Sequence, residues 1–313
     1  MTTVLFSAPI IAFVVAMAAT LLKVNLRVPE SLYPIVSTFL LLGIGLKGGR
    51  ELSEISIDSF WKPLVIVLFL GLINPLLAFS LFRLITRLDE INSAALAAHY
   101  GSPSLVTFIV LLTTLDTRGI KYGGYAAALF ACLEIVGIVV ALSMSKKITK
   151  DLRRKSLILE ILRSPSIALI AIGILIGMIV GNARMVPTDS FFIDLVPGVL
   201  TLFLIEMGII AAKHFADFRS IGFKLIFLAI AIPLINGVIG VLLAVLGGMS
   251  EGDVIVLGTL AGSASFVAAP AVVRVALPKA SPSLYLTTSI GITFPIFVTV
   301  GIPMLITVAG LVT

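Results

Sequence analysis

Residues 101–104 read Gly-Ser-Pro-Ser in the middle of an apolar stretch, and residues 262–265 read Gly-Ser-Ala-Ser in the middle of another. Proline inside a helix removes a backbone hydrogen bond and clashes with the preceding turn. A serine followed by proline is a typical helix start. We therefore predict that the first helix stops near Tyr100 and restarts at Pro103 with Ser102 as its N-cap. The second helix is predicted to restart at Ser263.

The composition around these interruptions is that of an integral membrane protein. Of the 313 residues, 59% are hydrophobic and 12% are charged, and the mean hydropathy is +1.20. Soluble domains carry about 25% charged residues, whereas a membrane-spanning helix needs about 20 apolar residues. We predict an all-α chain of about ten transmembrane helices, numbered 1 to 10, over residues 4–22, 31–47, 61–84, 91–115, 122–144, 165–182, 191–212, 222–247, 253–276 and 283–310.

Three motifs recur about 162 residues further along the chain. They are the Gly-Ser pair of the interruptions, an Ile-Gly-Leu motif at 44–46 with Met-Gly-Ile at 207–209, and Leu-Ile-Asn at 72–74 and 234–236. Five spans per copy is an odd number, so the second copy enters the membrane inverted, as in many secondary transporters. The predicted units are 1–145, a basic loop 146–163, and 164–313.

The basic residues predict the orientation. Cytoplasmic loops carry an excess of Lys and Arg, and most of the 22 basic residues follow odd-numbered spans. Both termini are therefore expected outside the cell, with the basic loop in the cytoplasm, where it could also bind anionic lipid or a regulator. We attribute the net charge of +6 to topology and expect no nucleic-acid partner. The basic residues of the outer side are Lys47, Arg50, Lys62, Arg118, Lys121 and Arg184.

Inversion of the repeat brings two helix N-termini face to face. Each N-terminus offers free N–H groups and about half a positive charge, so the pair can bind an anion without a cationic side chain. The alternative is a pair of helix kinks whose serines bond back to helix carbonyls. The predicted substrate-binding residues are Tyr100, Gly101, Ser102, Ser104, Gly262, Ser263 and Ser265.

Few other polar residues lie inside the spans. A carboxylate there is rare and commonly functional, so Glu134 is the first candidate cation ligand, with a buried, hydrogen-bonded acid as the alternative, and Glu206 ranks second. Asn74 and Asn236 are repeat equivalents that we expect to tie helices together. His99 is either a proton relay or a hydrogen-bonded wall residue.

No ATP-binding P-loop, HExxH or GxSxG motif occurs in the sequence, so there is no case for an enzyme or an ATP-driven pump. The source of energy is then an ion gradient. No cofactor is expected apart from a coupling ion.

Longer motifs resemble one family. The stretches at 99–108, 263–271, 282–286 and 291–295 closely resemble those of the SbtA-type sodium-dependent bicarbonate transporters, best known from cyanobacteria, and the likeness covers essentially the whole chain. The resemblance implies sodium-coupled bicarbonate uptake across a bacterial plasma (inner) membrane. It also implies a trimer in which helices 3–5 and 8–10 form a core that moves like an elevator against a gate of helices 1, 2, 6 and 7.

The resemblance places the substrate where the two interrupted helices meet, which is also the site argued from the residues. Glu134 and Thr293 are the expected sodium ligands, since Thr293 precedes Pro295, the repeat equivalent of Glu134. Two features depart from the family pattern. Pro103 stands where a small or β-branched residue is expected, and the short basic loop leaves open whether the PII-like cytosolic regulator of cyanobacterial members docks here.

Three functions therefore compete. The first is a bicarbonate and sodium symporter, and the second is a sodium- or proton-coupled transporter of another small anion or carboxylate. The third is an anion channel built on the same repeat. Dependence of uptake on sodium separates the two transporters from the channel, and competition by unlabelled anions separates the transporters from each other.

Overall fold

The computed structural model describes residues 7–26, 28–29, 31–145, 159, 161–215 and 222–313. Within these ranges the chain is helical and contains no strand. The predicted basic loop at 146–163 lies mostly outside the described residues. The helices, numbered so that the two halves of an interrupted helix share a number, are α1 Ala8–Leu21, α2 Leu32–Leu52, α3 Ile57–Leu81, α4a Glu90–Tyr100, α4b Leu105–Arg118, α5 Ala126–Ser143, α6 Pro165–Phe192, α7 Val196–Phe215, α8 Phe223–Leu246, α9a Glu251–Gly262, α9b Ala268–Ala276 and α10 Pro282–Val312.

Seven helical stretches in the described part of the chain are long and apolar enough to cross a membrane. The segments α1 and Pro165–Gly181 of α6 are shorter apolar helices. Helix α6 is broken at Gly181, where φ is +71°, a conformation that glycine adopts without strain. The predicted end of helix 6 at residue 182 therefore coincides with a real break, after which the chain continues as a further helical segment.

The N-terminal helices pack against the first helices of the second half. Helix α1 lies along α7, and α2 lies along α6. Small residues allow α2 and α6 to approach closely: a Cβ atom on Gly45 would lie 2.6 Å from the carbonyl oxygen of Ile170, and one on Gly173 would lie 2.8 Å from Cα of Gly45. Close backbone contact of this kind is typical of helices packed within a membrane.

The remaining helices pack mainly among themselves. Helix α3 packs on α5 and α4a, and α8 packs on α9a and α10. Helix α10 includes two π-helical stretches, Thr287–Thr293 and Phe297–Gly301. Phe294 lies between them and joins the two groups of helices, because its ring contacts Phe13 of α1 and Phe266 beside the second interruption, with ring centroids 5.2 and 5.1 Å apart.

Candidate functional site

The first interruption separates α4a from α4b. Helix α4a ends at Tyr100, as predicted. The next helix begins one residue after Ser104, whose Oγ accepts a hydrogen bond from the N–H of Thr107 at 3.3 Å. The prediction that Ser102 caps a helix restarting at Pro103 is therefore wrong. The new helix starts two residues later and uses the second serine of the motif.

The second interruption is longer. Helix α9a ends at Gly262, and Ser263 follows it in an extended conformation (φ −89°, ψ 163°). Helix α9b begins only at Ala268, so the prediction that it restarts at Ser263 is wrong. The N-cap position is Val267, and Oγ of Ser265, two residues earlier, accepts from the N–H of Ala269 at 3.3 Å. The extended residues between the halves reach across to the other interruption instead of turning helical.

The two interruptions are hydrogen-bonded directly to each other. The N–H of Ser265 donates to the carbonyl oxygens of His99 (2.8 Å) and Ser102 (3.0 Å). The N–H of Ser104 donates to Oγ of Ser263 at 2.9 Å. Because buried backbone groups must find partners, each interruption satisfies groups that the other leaves free. The structure therefore brings the predicted serines together from residues about 161 positions apart.

The four serines divide into two equivalent pairs. Ser102 and Ser263 donate their hydroxyl protons to carbonyl oxygens about one turn back. Ser102 donates to Ala98 at 2.7 Å, and Ser263 donates to Leu260 at 3.4 Å. Ser104 and Ser265 instead accept from the N–H groups of the following helices, and their own hydroxyl protons have no acceptor among the described residues. All four are at most 3% exposed. One pair thus secures the incoming half-helices, and the other presents hydroxyl donors at the starts of the outgoing ones.

Two asparagines repeat the same symmetry. Nδ2 of Asn74 on α3 donates to the carbonyl oxygen of Ala261 at 3.2 Å, at the end of α9a. Nδ2 of Asn236 on α8 donates to the carbonyl oxygen of Tyr100 at 3.4 Å, at the end of α4a. Each asparagine therefore holds the interrupted helix of the opposite half, in agreement with the predicted helix-tying role.

Tight packing surrounds the glycines of the interruptions. A Cβ atom on Gly101 would lie 2.6 Å from Cβ of Pro75, and one on Gly262 would lie 2.5 Å from the ring of Phe297. A Cβ on Gly137 of α5 would overlap the carbonyl oxygen of Gly101. Glycine is therefore required at these positions by the close approach of neighbouring helices.

Tyr100 and Thr293 belong to one hydrogen-bond chain. Pro233 in α8 has no N–H, so the carbonyl of Ala229, four residues earlier, lacks its helical donor. The Thr293 hydroxyl donates to this oxygen at 2.6 Å and accepts from the Tyr100 hydroxyl, with the two oxygens 2.8 Å apart. Thr293 therefore ties α10 to α8 and to the first interruption, and its oxygen retains one further lone pair.

The two intramembrane carboxyl groups lie in different places. Glu134 is 1% exposed, and its Oε2 has no hydrogen-bond partner. It lies one turn before Gly137, the glycine of α5 that contacts the first interruption. Glu206 lies on α7 in the other group of helices, and its Oε2 is also unpartnered. Of the two, Glu134 is the one next to the interruptions. In the described ranges no three His, Cys, Asp or Glu side chains come together to hold a metal ion.

His99 lies in the last turn of α4a and is fully buried. Its Nδ1 lies 2.7 Å from the carbonyl oxygen of Ala95, and its ring stacks on Tyr285 with centroids 4.4 Å apart. A carbonyl can only accept, so Nδ1 carries the proton of this bond. This bond and the stacking on Tyr285 hold the ring in place, which agrees with the alternative of a hydrogen-bonded structural residue.

A polar cluster that the sequence did not single out links α2 to the end of α4b. Nζ of Lys47 lies 2.7 Å from Oδ2 of Asp116 and 2.8 Å from the Tyr122 hydroxyl, which donates to Oδ1 of Asp116 at 3.1 Å. Burial and the carboxylates of Asp116 and Glu51 raise the pKa of Tyr122, so the hydroxyl keeps its proton. No sequence motif marks this cluster, because its members are adjacent only in space.

A cavity of about 270 Å³ lies at the same end of α4b as this cluster. It is bounded by the first residues of α1, the C-terminal half of α4b and the start of α7, and it is lined by Thr113, Thr117, Arg118, Pro197 and Leu200. The crossing of the interrupted helices lies at the opposite end of α4b from this cavity.

Helices that cross a membrane, and two interrupted helices that meet in the protein interior, together define a multi-pass membrane protein of the transporter class. A family model described as the Na+-dependent bicarbonate transporter superfamily matches residues 8–310, and the chain belongs to that family. The family resemblance noted from the motifs is thereby confirmed. A comparison with curated proteins found no match.

Proposed function

We propose that the chain is a symporter that takes up bicarbonate together with sodium and binds the anion between α4b and α9b. The observation that carries this proposal is that Ser104 and Ser265 occupy equivalent positions in the two interruptions. Both serines stand at the start of an outgoing half-helix, both are buried, and both have a hydroxyl proton to donate. The predicted set of Tyr100, Gly101, Ser102, Gly262 and Ser263 supports these two donors by holding the interruptions in place.

The electrostatics of this site favour a small monovalent anion. The positive ends of two helix dipoles and neutral hydroxyl donors surround it, and the described residues of the two interruptions include no Lys or Arg. A dicarboxylate is better recognised by the two-pronged guanidinium of arginine. Bicarbonate, with one charge and three oxygen atoms, suits the available donors.

Coupling to a cation follows from the membrane potential. Moving one anion inward against an inside-negative potential costs about 2.3 kcal/mol per 100 mV. One sodium ion cancels that cost, and a second makes net uptake favourable. Glu134 has a buried carboxyl oxygen without a partner near the interruptions, and Thr293 has a lone pair near Tyr100, so both remain candidate sodium contacts.

The same proposal includes a ten-helix architecture of five plus five inverted helices. The reciprocal bonds of Asn74 and Asn236 and the pairing of α1 with α7 and α2 with α6 support it. We assign α1, α2, α6 and α7 to the gate and α3–α5 with α8–α10 to a core that moves against it. The charge asymmetry supports outer termini in a bacterial plasma membrane. The trimer and a PII-like regulator rest on the family resemblance alone.

The test is uptake of radiolabelled bicarbonate into proteoliposomes with an inward sodium gradient, and with potassium in its place. The proposal expects uptake only with sodium, and accumulation above equilibrium. Equal flux with either cation would instead indicate an anion channel. If unlabelled nitrate, formate or acetate competed as well as bicarbonate, the substrate would be another small anion.

A further inference from the structure

The two asparagines that hold the interrupted helices each have one amide end without a partner. Asn74 and Asn236 are both 1% exposed, and their Nδ2 groups donate to carbonyl oxygens as described above. Their Oδ1 atoms, in contrast, are buried and accept no hydrogen bond from any residue that the structure describes. A buried polar oxygen without a donor is costly. An unpaired buried group of this kind, repeated at equivalent positions of the two halves, indicates a bound water or ion.

The location of these oxygens favours a cation. Each amide lies against the C-terminal end of a half-helix: Asn74 against α9a, which has 12 residues, and Asn236 against α4a, which has 11. A helix C-terminus carries about half a negative charge and carbonyl oxygens without helical donors. The other ends of the interruptions, where α4b and α9b begin, are positive. Anion and cation therefore favour different ends of the same crossing.

The chemistry of the available oxygens favours a monovalent ion. The amide Oδ1 and the backbone carbonyls are neutral ligands, which compensate one buried positive charge more readily than two. In transporters with discontinuous helices, carbonyls of unwound backbone and half-helix C-termini are typical ligands of sodium. The same arrangement occurs twice here, related by the repeat.

We propose that Asn74 and Asn236 mark two equivalent sodium sites, each formed by an asparagine Oδ1 and the C-terminal carbonyls of the interrupted helix of the opposite half. This inference rests on the proposed function, because it supplies the coupling ions of that transporter. Two sodium ions moving with one anion carry one net positive charge inward. The membrane potential then drives uptake as well as the sodium gradient.

The experiment measures binding of ²²Na⁺ to the purified full-length protein in lipid nanodiscs, without bicarbonate and in a potassium background. We expect about two sodium ions per chain. Asn74→Ala and Asn236→Ala are each expected to remove about one of them. One ion or none in the wild-type protein would overturn the proposal, whatever the variants do.

Aspartate variants separate a ligand from a helix tie. Asn74→Asp and Asn236→Asp keep the acceptor oxygens but lose the amide N–H that donates to the carbonyl. If the asparagine oxygens bind sodium, we expect these variants to bind sodium at least as well as the wild-type protein. If they lose sodium as fully as the alanine variants do, the asparagines are ties only and the proposal fails. The aspartate variants also decide the matter should the alanine variants not fold.

Asn92→Ala is the matched control. The Oδ1 of Asn92 accepts from the N–H of Ser281 at 2.8 Å, and its Nδ2 donates to Asp89, so both amide ends are satisfied. Its removal is expected to leave sodium binding unchanged. Because bicarbonate is absent from the assay, two bound sodium ions in a protein that takes up no bicarbonate would refute the proposed function alone. Sodium-driven uptake with unaltered binding in the asparagine variants would refute this inference alone.

Discussion

At the scale of single residues, the serines of the interruptions differ in where their protons go. Ser102 and Ser263 donate to the helices that precede them, whereas Ser104 and Ser265 accept from the helices that follow. The kink alternative therefore describes Ser102 and Ser263, whereas Ser104 and Ser265 are the donors that the proposed anion site uses. A hydroxyl that already donates to a carbonyl has no proton left for an anion.

This division leads to a paired test. Ser104→Ala with Ser265→Ala removes two caps and both free donors, so we expect the KM for bicarbonate to rise at least tenfold, with about 1 kcal/mol of stability lost per cap. Ser102→Ala with Ser263→Ala is the matched control and is expected to raise KM less. Sodium-driven uptake and thermal unfolding of both double variants measure these effects. A larger KM effect in the control pair would show that the assignment of donors is reversed.

Glu134 can be tested without changing its shape. Glu134→Gln removes the acidic group from a residue that is 1% exposed, and we expect sodium to bind more weakly during uptake. The measurement is the sodium concentration that gives half-maximal uptake, which should rise. Glu206→Gln is the comparison, because Glu206 lies on α7, in the other helix group. If the half-maximal concentration is unchanged in Glu134→Gln, the carboxylate does not contact the ion.

At the scale of elements, each interrupted helix is shaped by the helices that pack on it. Proline and glycine end α4a near the predicted residue, but the start of the next half depends on contacts across the crossing. Residues 263–267 are non-helical, and the N–H of Ser265 among them donates to carbonyl oxygens of the first interruption instead of continuing α9a. Helix α5 approaches so closely that a side chain at Gly137 would overlap the Gly101 carbonyl.

A methyl group placed at this contact should therefore be costly. Gly137→Ala has to displace the backbone of the first interruption, and overpacking of this kind costs about 1–3 kcal/mol. We expect a lower unfolding temperature together with loss of uptake. Gly198→Ala is the control, because nothing lies within 4 Å of its added Cβ, and alanine is a better helix former than glycine. Equal behaviour of the two variants would contradict the close contact.

At the scale of the whole molecule, two ion pairs differ in which helices they join. Arg50 and Asp189, 2.9 Å apart, connect α2 to α6 within the proposed gate. Lys47 and Asp116, 2.7 Å apart, connect α2 to α4b and so cross from the proposed gate to the proposed core. If the core moves, the second pair has to separate and the first does not.

Alanine variants of the two cations test this difference. A partly exposed ion pair contributes about 0.2–1 kcal/mol, so Lys47→Ala should change the turnover rate by a factor of roughly 1.5–5 with little loss of stability. Arg50→Ala should lower the unfolding temperature and leave turnover nearly unchanged. Uptake rates at saturating sodium and bicarbonate, together with melting curves, give both quantities. A turnover rate that responds to Arg50→Ala and not to Lys47→Ala would argue against motion between these helix groups.

Hydropathy and local chemistry were enough to predict the class of protein and the positions of the interruptions, and the resemblance of longer motifs predicted the family. A chain with 59% hydrophobic residues places its helices in lipid, and the Gly-Ser motifs at 101–102 and 262–263 mark the ends of the two half-helices that enter the crossing. These effects depend on neighbouring residues along the chain, so the sequence alone carries them. The motif pairs likewise predicted that Asn74 and Asn236 would play equivalent parts.

Only the tertiary structure decided which serine caps which helix, that Thr293 serves a carbonyl left free by Pro233, and that the asparagines hold the opposite half's helices. Lys47 and Asp116, 69 positions apart, likewise meet only in the folded chain. A hydroxyl or an amide can bond to any partner within reach, and the sequence does not state which groups come within reach. The physical reason is that a hydrogen bond depends on which groups lie close together in space. Membrane insertion and the ends of the incoming half-helices depend instead on the residues that are neighbours along the chain.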